Sequence, residues 1–472
     1  MEQWFVSLFR FCDFSLHPLR TVSSKPELLI FSSLIFSGES LRKLGFESED
    51  RISELPEALI LGILSFLPTK DVIATSVLSK QWGSLWKMVP KLEFESNDQK
   101  FAENVTRSLL SHKAPVLERL QLKLSDKCEA IDVELERWAG IAISRNVREF
   151  VLKIFLSFGP SVTLPSSLFC SDTLETLKLN NGISLIVPCS VSMKSLRTLH
   201  LHGVKYKDEE SFRNLLSGCP NLEDLQLHRY YPNNVTNVII VSPSLKRLSI
   251  WDYRIGLENN GGYVINAPCL EYLYIGNLKG HEFCLIENAP MLVEAKVRNV
   301  SDIVNEKILG SLISVKRLVL ELSPLEIEYP SGSIFYQLVS LEMCTRKDEW
   351  WNLLALMLDS SPKLQVLKLI DQYPGYKSVG MVGRNWNEPK YVPECLLSHL
   401  ETFEWINYSW KSEQEQEVAT YILRSARHLK KATFSTRPIY SIYLNKLENR
   451  RKMLNELDCV VKASKSCHLV FQ

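Results

Sequence analysis

The chain has 472 residues, 45% of them hydrophobic and 23% charged. This is ordinary globular usage, which excludes a wholly disordered or collagen-like chain and predicts two to four domains rather than one core. Lys and Arg number 55 against 54 for Asp and Glu, a formal net charge of +1, so the basic excess of a polyanion binder is missing and no nucleic-acid partner is expected.

The longest apolar stretch, Leu28 to Phe36, is interrupted by Ser32 and Ser33 and is too short to span a bilayer, so no membrane partner is expected. Eleven cysteines, an odd number, form no C-x-x-C pair and no zinc-finger spacing with His. They read as small buried hydrophobes in a reducing compartment, the cytoplasm or nucleus or both. Residues 1–49 set Arg10, Arg20 and Lys25 among Phe, Leu and Ser, as a transit peptide would, but Glu2, Asp13, Glu27 and Glu39 oppose that reading. The segment is taken as a poorly structured extension.

Residues 50–96 predict a small block of three helices. Pro56 suits a helix start, and Leu59, Ile60, Ile63, Leu64 and Leu67 succeed it at helical spacing until Pro68. Thr69 is placed to cap the second helix and Ser79 the third, which holds Trp82 and Leu85. Three short helices make too small a core to stand alone, so the block either packs on the rest of the chain or offers an apolar face to a partner.

From residue 110 to 385 and beyond, one pattern recurs: apolar-x-x-apolar-x-apolar. It stands at Leu117/Leu120/Leu122, Val147/Phe150/Leu152, Leu174/Leu177/Leu179, Leu196/Leu199/Leu201 and Leu222/Leu225/Leu227. It continues at Leu245/Leu248/Ile250, Leu270/Leu273/Ile275, Leu292/Ala295/Val297 and Val315/Leu318/Leu320. The last copies are Leu338/Leu341/Met343, Leu364/Leu367/Leu369, Leu400/Phe403/Trp405 and Leu429/Ala432/Phe434. Thirteen copies at a mean period of about 26 residues fall within the roughly 20–29 of leucine-rich repeats. The last two apolar positions of each copy alternate with polar ones, as a strand with one buried face requires, and no unit buries its face alone. An α/β solenoid is expected.

Some return segments read as helices, since Phe212, Leu215 and Leu216 share a face, as do Trp351, Leu354 and Leu358. Proline two residues before the first apolar position, at Pro115, Pro220, Pro243, Pro268, Pro290 and Pro362, marks where each return segment ends and a strand begins. Cys170, Cys219, Cys269 and Cys344 lack an activating His and acid and read as filler. In residues 386–472, Glu413, Glu415 and Glu417 precede an apolar stripe at Val418, Tyr421 and Ile422, a helix with acids at its positive end. This region is expected to close the solenoid.

Specific motifs then narrow the reading. Asp50-Arg51-Ile52-Ser53-Glu54-Leu55-Pro56-Glu57, Ile63-Leu64-Ser65-Phe66-Leu67-Pro68-Thr69-Lys70-Asp71 and Thr75-Ser76-Val77-Leu78-Ser79-Lys80-Gln81-Trp82 closely resemble a plant F-box. Leu85-Trp86 and Val89-Pro90-Lys91-Leu92-Glu93-Phe94 match its usual exit. Val392-Pro393-Glu394-Cys395-Leu396-Leu397-Ser398-His399-Leu400-Glu401 resembles the start of an FBD domain. That likeness continues at Leu423, Ala426, Leu429 and Lys430-Lys431 and in the tail at Ser464, Ser466, Cys467, Val470 and Phe471. The chain is similar to plant F-box/FBD/leucine-rich-repeat proteins from residue 50 onward, with Gly83 standing where an arginine is frequent.

The resemblance implies four regions: the extension (1–49), an F-box (50–96), leucine-rich repeats (110–385) and an FBD domain (386–472). It also implies the substrate-recognition subunit of a Skp–cullin–F-box ubiquitin ligase, with a Skp-type adaptor, a cullin bound through it, and a target protein as partners. The adaptor-binding residues carried over are Leu55, Pro56, Leu59, Ile63, Leu64, Val77, Leu78 and Trp82. No catalytic residue, cofactor or metal is expected, and no Walker loop, G-x-S-x-G elbow or H-E-x-x-H pair is present. A small-molecule co-receptor and a non-ligase scaffold stay open beside this reading. For the target, the repeat register gathers His200, His202 and His228 with Trp251, Tyr272 and Tyr274 on the strand face turned from the core, and Trp and Tyr are frequent interface anchors.

Overall fold

The computed structural model describes residues 55–472 except 79, 81, 97–99, 126–130, 156–160, 231–234, 253–260, 302, 304, 307, 324–328, 331, 346–349, 372–385, 387, 409–412, 437–450 and 452–454. The expectation for residues 1–49 lies outside this set. Two compact units divide between Ile63 and Leu64. In the first, α1 (Glu57–Leu64) begins after Pro56, whose carbonyl accepts from the Leu59 and Ile60 N–H groups at 2.9 and 3.2 Å. Proline costs nothing there, because the first N–H groups of a helix have no intrahelical partner.

The second unit opens with α2 (Thr69–Ala74) and α3 (Trp82–Leu85). Thr69 does not cap α2, as the sequence suggested. Pro68 holds the cap position, and the Thr69 hydroxyl instead accepts the Glu93 N–H at 2.6 Å. The cap expected at Ser79 lies outside the described residues.

A sixteen-stranded parallel sheet comes next. Its strands run β1 (Lys91–Glu95), β2 (Arg119–Ser125), β3 (Glu149–Phe155), the short side strand β4 (Val162–Thr163), β5 (Thr176–Leu185), β6 (Thr198–Tyr206) and β7 (Asp224–Arg229). After β8 (Val238–Val241), which belongs to a second sheet, come β9 (Arg247–Asp252), then β10 (Gly262–Asn266) of that second sheet, and β11 (Tyr272–Gly276). The alternation continues with β12 (Phe283–Asn288) in the second sheet, β13 (Glu294–Arg298) in the first, and β14 (Asn305–Glu306) in the second. The main sheet ends with β15 (Arg317–Glu321), β16 (Ser340–Cys344), β17 (Val366–Ile370), β18 (Thr402–Ile406), β19 (Lys431–Phe434) and β20 (His468–Phe471).

Each of the thirteen repeats supplies one strand of the main sheet, in the register its hexad predicts. Leu177 faces Leu199, Leu199 faces Leu225, Leu225 faces Leu248, Leu248 faces Leu273 and Leu273 faces Ala295. These columns are fully buried and make one continuous core. The prolines do more than mark a strand start. The N–H groups of Leu222, Leu245, Leu270, Leu292 and Leu364 each donate to the carbonyl three residues back, across Pro220, Pro243, Pro268, Pro290 and Pro362. Each proline is therefore the second residue of a tight turn, where its fixed φ is already correct. Asn277, Asn299 and Asn407, just past β11, β13 and β18, take the left-handed conformation that asparagine tolerates best among residues with a side chain.

The return segments are of two kinds. Helices α4 (Phe101–Ser111), α5 (Ile131–Ser144) and α6 (Glu209–Ser217) lie before the middle of the array, and α7 (Ile308–Ser311), α8 (Trp350–Ser360), α9 (Glu394–Ser398) and α10 (Glu413–Ser425) after it. The expected inward faces of α6 and α8 are buried. Between them the returns are extended: β8, β10, β12 and β14 form a second, four-stranded parallel sheet, in return segments to which the sequence pattern assigned no structure. Val238-Ile239-Ile240-Val241 and Tyr263-Val264-Ile265 are β-branched and aromatic runs, which favour strand over helix.

Candidate docking surfaces

Each strand of the main sheet turns its alternate residues outward, and three rows run across the strands. One row reads Lys123, Lys153, Asn180, His202, His228, Trp251 and Gly276 in successive strands. A second reads Lys178, His200, Gln226, Ser249 and Tyr274. The expected single cluster is thus divided. Tyr272 stands one row lower, beside Arg247 and Glu294, with the Lys296 ammonium 5.3 Å from its ring centre.

The other five residues do meet. His200 and His202 stack at 6.0 Å between ring centres, His202 and His228 at 4.0 Å, and Trp251 and Tyr274 at 6.1 Å, with His228 and Trp251 in tilted contact at 6.4 Å. Gly276 makes the last stack possible, because a Cβ there would lie 2.7 Å from the Tyr274 hydroxyl and 2.9 Å from the Trp251 ring. Burial, then the charges of His202 and His200, push the His228 imidazole down to about 4. His202 is also lowered, by burial first. At neutral pH the His202 and His228 rings are uncharged stacking surfaces. Their nitrogen lone pairs lie in nearly parallel planes and do not converge on one point, and among the described residues no three metal-ligating side chains do.

The flanks of this island are charged. On one side Arg119 pairs with Glu93 and Glu149, Lys123 with Glu95 and Lys178 with Glu149. On the other, Arg317 pairs with Glu294, Arg298 with Glu342, and Lys368 with Glu342 and Glu404.

Beneath the island lies a buried polar cluster that the repeat pattern alone did not reveal. The Tyr263 hydroxyl donates to Asp252 Oδ2 at 2.6 Å, His281 Nε2 lies 3.1 Å from the same oxygen, and an Arg229 Nη lies 3.4 Å from it. Arg229 also donates to the Tyr263 hydroxyl at 3.3 Å and to the Val235 carbonyl. The signal is present in the sequence: Arg229 stands after Leu225 and Leu227 at the inward spacing, and Asp252 after Leu248 and Ile250 at the same place in the next repeat. Opposite charges at neighbouring core positions announce a buried pair.

The residues assigned to an adaptor surface fall into two groups. Leu55 and Ile63 are half-buried, and Pro56 and Leu59 are exposed. In the second unit Val77 is 85% exposed and Leu78 is exposed, whereas Leu64 at 1% and Trp82 at 7% belong to the interior. Phe66, 88% exposed, is a further apolar side chain in water that the motif did not single out. Gly83 has room for a side chain, since a Cβ there would meet only Ser76 O at 3.7 Å.

Three family models match the chain: the F-box domain over residues 52–94, the leucine-rich repeats of FBD-associated F-box protein At5g56370 over 135–294, and FBD over 388–434. F-box/FBD/LRR-repeat protein At3g52680 of Arabidopsis thaliana is 57% identical over 451 residues, covering 94% of this chain and 98% of that one. F-box/FBD/LRR-repeat protein At3g51530 of the same organism is 60% identical over 443 residues, covering 92% and 96%. The chain belongs to the F-box/FBD/LRR-repeat family. In this F-box/FBD/LRR-repeat protein the F-box match covers α1 to α3 and runs into β1, so its end is already solenoid. The repeat match contains the whole aromatic island, and the FBD match contains α9, β18, α10 and β19. Among the described residues, no helix is long and apolar enough to cross a membrane.

Proposed function

We propose that this protein is the substrate-recognition subunit of a Skp–cullin–F-box ubiquitin ligase, binding a Skp-type adaptor, and a cullin through it, by the F-box. The F-box match with apolar residues left in water carries the reading, since Leu59, Phe66, Val77 and Leu78 gain by being covered. The island of His200, His202, His228, Trp251 and Tyr274 is the target-docking surface. The protein breaks no bond itself. It raises the local concentration of a target lysine beside charged ubiquitin, an effective-molarity effect that needs no active site of its own. The setting is cytoplasmic or nuclear.

Leu64 and Trp82 support the shape of the F-box, and Leu55, Pro56, Leu59, Val77 and Leu78 contact the adaptor. The test is co-purification with a Skp-type adaptor and cullin. Leu55→Ala/Pro56→Ala and, separately, Val77→Glu should abolish it. Each lost apolar anchor is worth about 1.5–3 kcal/mol, or roughly ten- to a hundredfold in affinity. Because Val77 is solvent-exposed, its replacement leaves the fold intact, and adaptor binding that survives both variants overturns the assignment.

A further inference from the structure

The row that carries the aromatic island continues past it to one unmatched cation. Lys123 and Lys178 are neutralised by Glu95 and Glu149. Lys153, between them on β3, is half-buried on the same face, and no carboxylate pairs with it among the described residues. Asn180 stands between Lys153 and His202 in the row, and no hydrogen-bond partner engages its amide among the described residues. Just beyond Asn180, a bulge at Asn181 and Gly182, both with φ +57°, breaks the register between β5 and β6, and Gly203 opposite has φ +61°. Bulges of this kind redirect side chains at the margin of a binding face.

The row therefore offers a single positive charge, then a free amide, then stacked uncharged rings. Three strand steps of about 4.8 Å separate Lys153 from His228, and four separate it from Trp251, so about 14–19 Å. An extended chain covers that in roughly four to six residues at about 3.3 Å each. Resting on the docking role proposed above, we infer that the target is held through an extended segment with an Asp or Glu four to six residues from an aromatic or leucine anchor. The carboxylate meets Lys153, the segment's backbone meets Asn180, and the anchor lies on His228, Trp251 and Tyr274. A single carboxylate fits better than a phosphate or a nucleic-acid backbone. Among the described residues of this row only one cation is unmatched, and the neighbouring cations Lys178, Arg247 and Arg317 are already held by Glu149, Asp224 and Glu294, so a second or third negative charge would find no partner.

The experiment is panning of a random twelve-residue peptide display library on the full chain, with adaptor co-purification as the check that each variant is folded. The wild type should enrich acids at that spacing from Trp, Tyr, Phe or Leu. Lys153→Gln should weaken an enriched peptide roughly tenfold. Lys153→Glu should select Lys or Arg where the wild type selects an acid. Enrichment without the spaced acid, the same peptides on Lys153→Glu, or no enriched peptide at all overturns the inference. So does tighter binding of the phosphoserine version, or displacement by a single-stranded oligonucleotide at physiological salt. Trp251→Ala/Tyr274→Ala separates the two levels. If this variant, with adaptor binding intact, enriches the same peptides, the docking role of the island itself fails. If it loses them while Lys153→Glu keeps them, only the acid contact fails.

Discussion

The middle repeats and the end repeats place their polar groups on opposite sides of the same sheet. At the ends, charged residues line the outward rows in cross-strand pairs such as Arg119–Glu149 and Lys368–Glu404, and the interior is apolar, with Phe403, Trp405 and Phe434 packed edge to face. In the middle, the outward rows carry His202, His228, Trp251 and Tyr274, and the charges Arg229 and Asp252 lie inside, tied to Tyr263 of the second sheet and to His281. Water screens the outward pairs, so each adds little to stability. The inward pair is desolvated and must be complete to be tolerated. What the middle gains is an outward face whose upper rows are aromatic rings, bordered below by the pairs of Asp224 with His200 and Arg247 and of Glu294 with Lys296 and Arg317, the composition of an interface centre with a polar rim.

The sharpest way to break this contrast is Arg229→Met. It leaves Asp252 buried without its cation and should cost about 3–5 kcal/mol in denaturant unfolding, most of which Arg229→Met/Asp252→Leu should restore. Gly276→Ala acts on the outer side. Its methyl cannot fit beside Trp251 and Tyr274 as they stand, so about 1–3 kcal/mol of stability and the near-ultraviolet dichroism of the stacked pair should be lost. The third test uses protons. His228 in the folded chain binds its proton only near pH 4, against 6.5 for the ordinary side chain. The unfolded chain takes up that proton first, so this contribution to stability is complete above pH 6.5 and declines as pH falls toward 4. His228→Gln should flatten melting temperature against pH across that window. The smallest effect is expected from Arg317→Gln in the outer ladder, within about 1 kcal/mol and smaller still in high salt.

Much of the fold is legible in the sequence because a repeat writes its register there. Leu225, Leu248 and Leu273 occupy one hexad position and one column of the sheet. Val89/Leu92/Phe94 fits the same hexad and forms β1 against Leu120 and Leu122, although its likeness to the exit of the helical block masks this. The final strand is hidden for a physical reason. Leu469 and Phe471 align with Ala432 and Phe434, but the first hexad position there is Ser466, which removes the apolar signal. The second sheet is hidden because return segments of four to six residues are too short for periodicity to separate helix from strand. On the outer face, spacing places the histidines and Trp251 together, but it cannot show that Tyr272 belongs to a different row. Nor does spacing register that Lys153 has no carboxylate partner among the described residues, since that depends on every neighbouring strand.

The hydrogen bond from the Glu93 N–H to Thr69 has a consequence for how such proteins can be recombined. A parallel sheet has a raw first edge, and an uncovered edge invites pairing with other chains. Here a helix of the F-box sits against that edge, and the F-box's own last segment is the edge strand. The natural seam for exchanging the module between relatives therefore falls after Glu95 rather than after Leu85. A graft cut at the earlier point would separate the cover from the strand it covers, leaving a solenoid prone to stick to itself and a module without its footing.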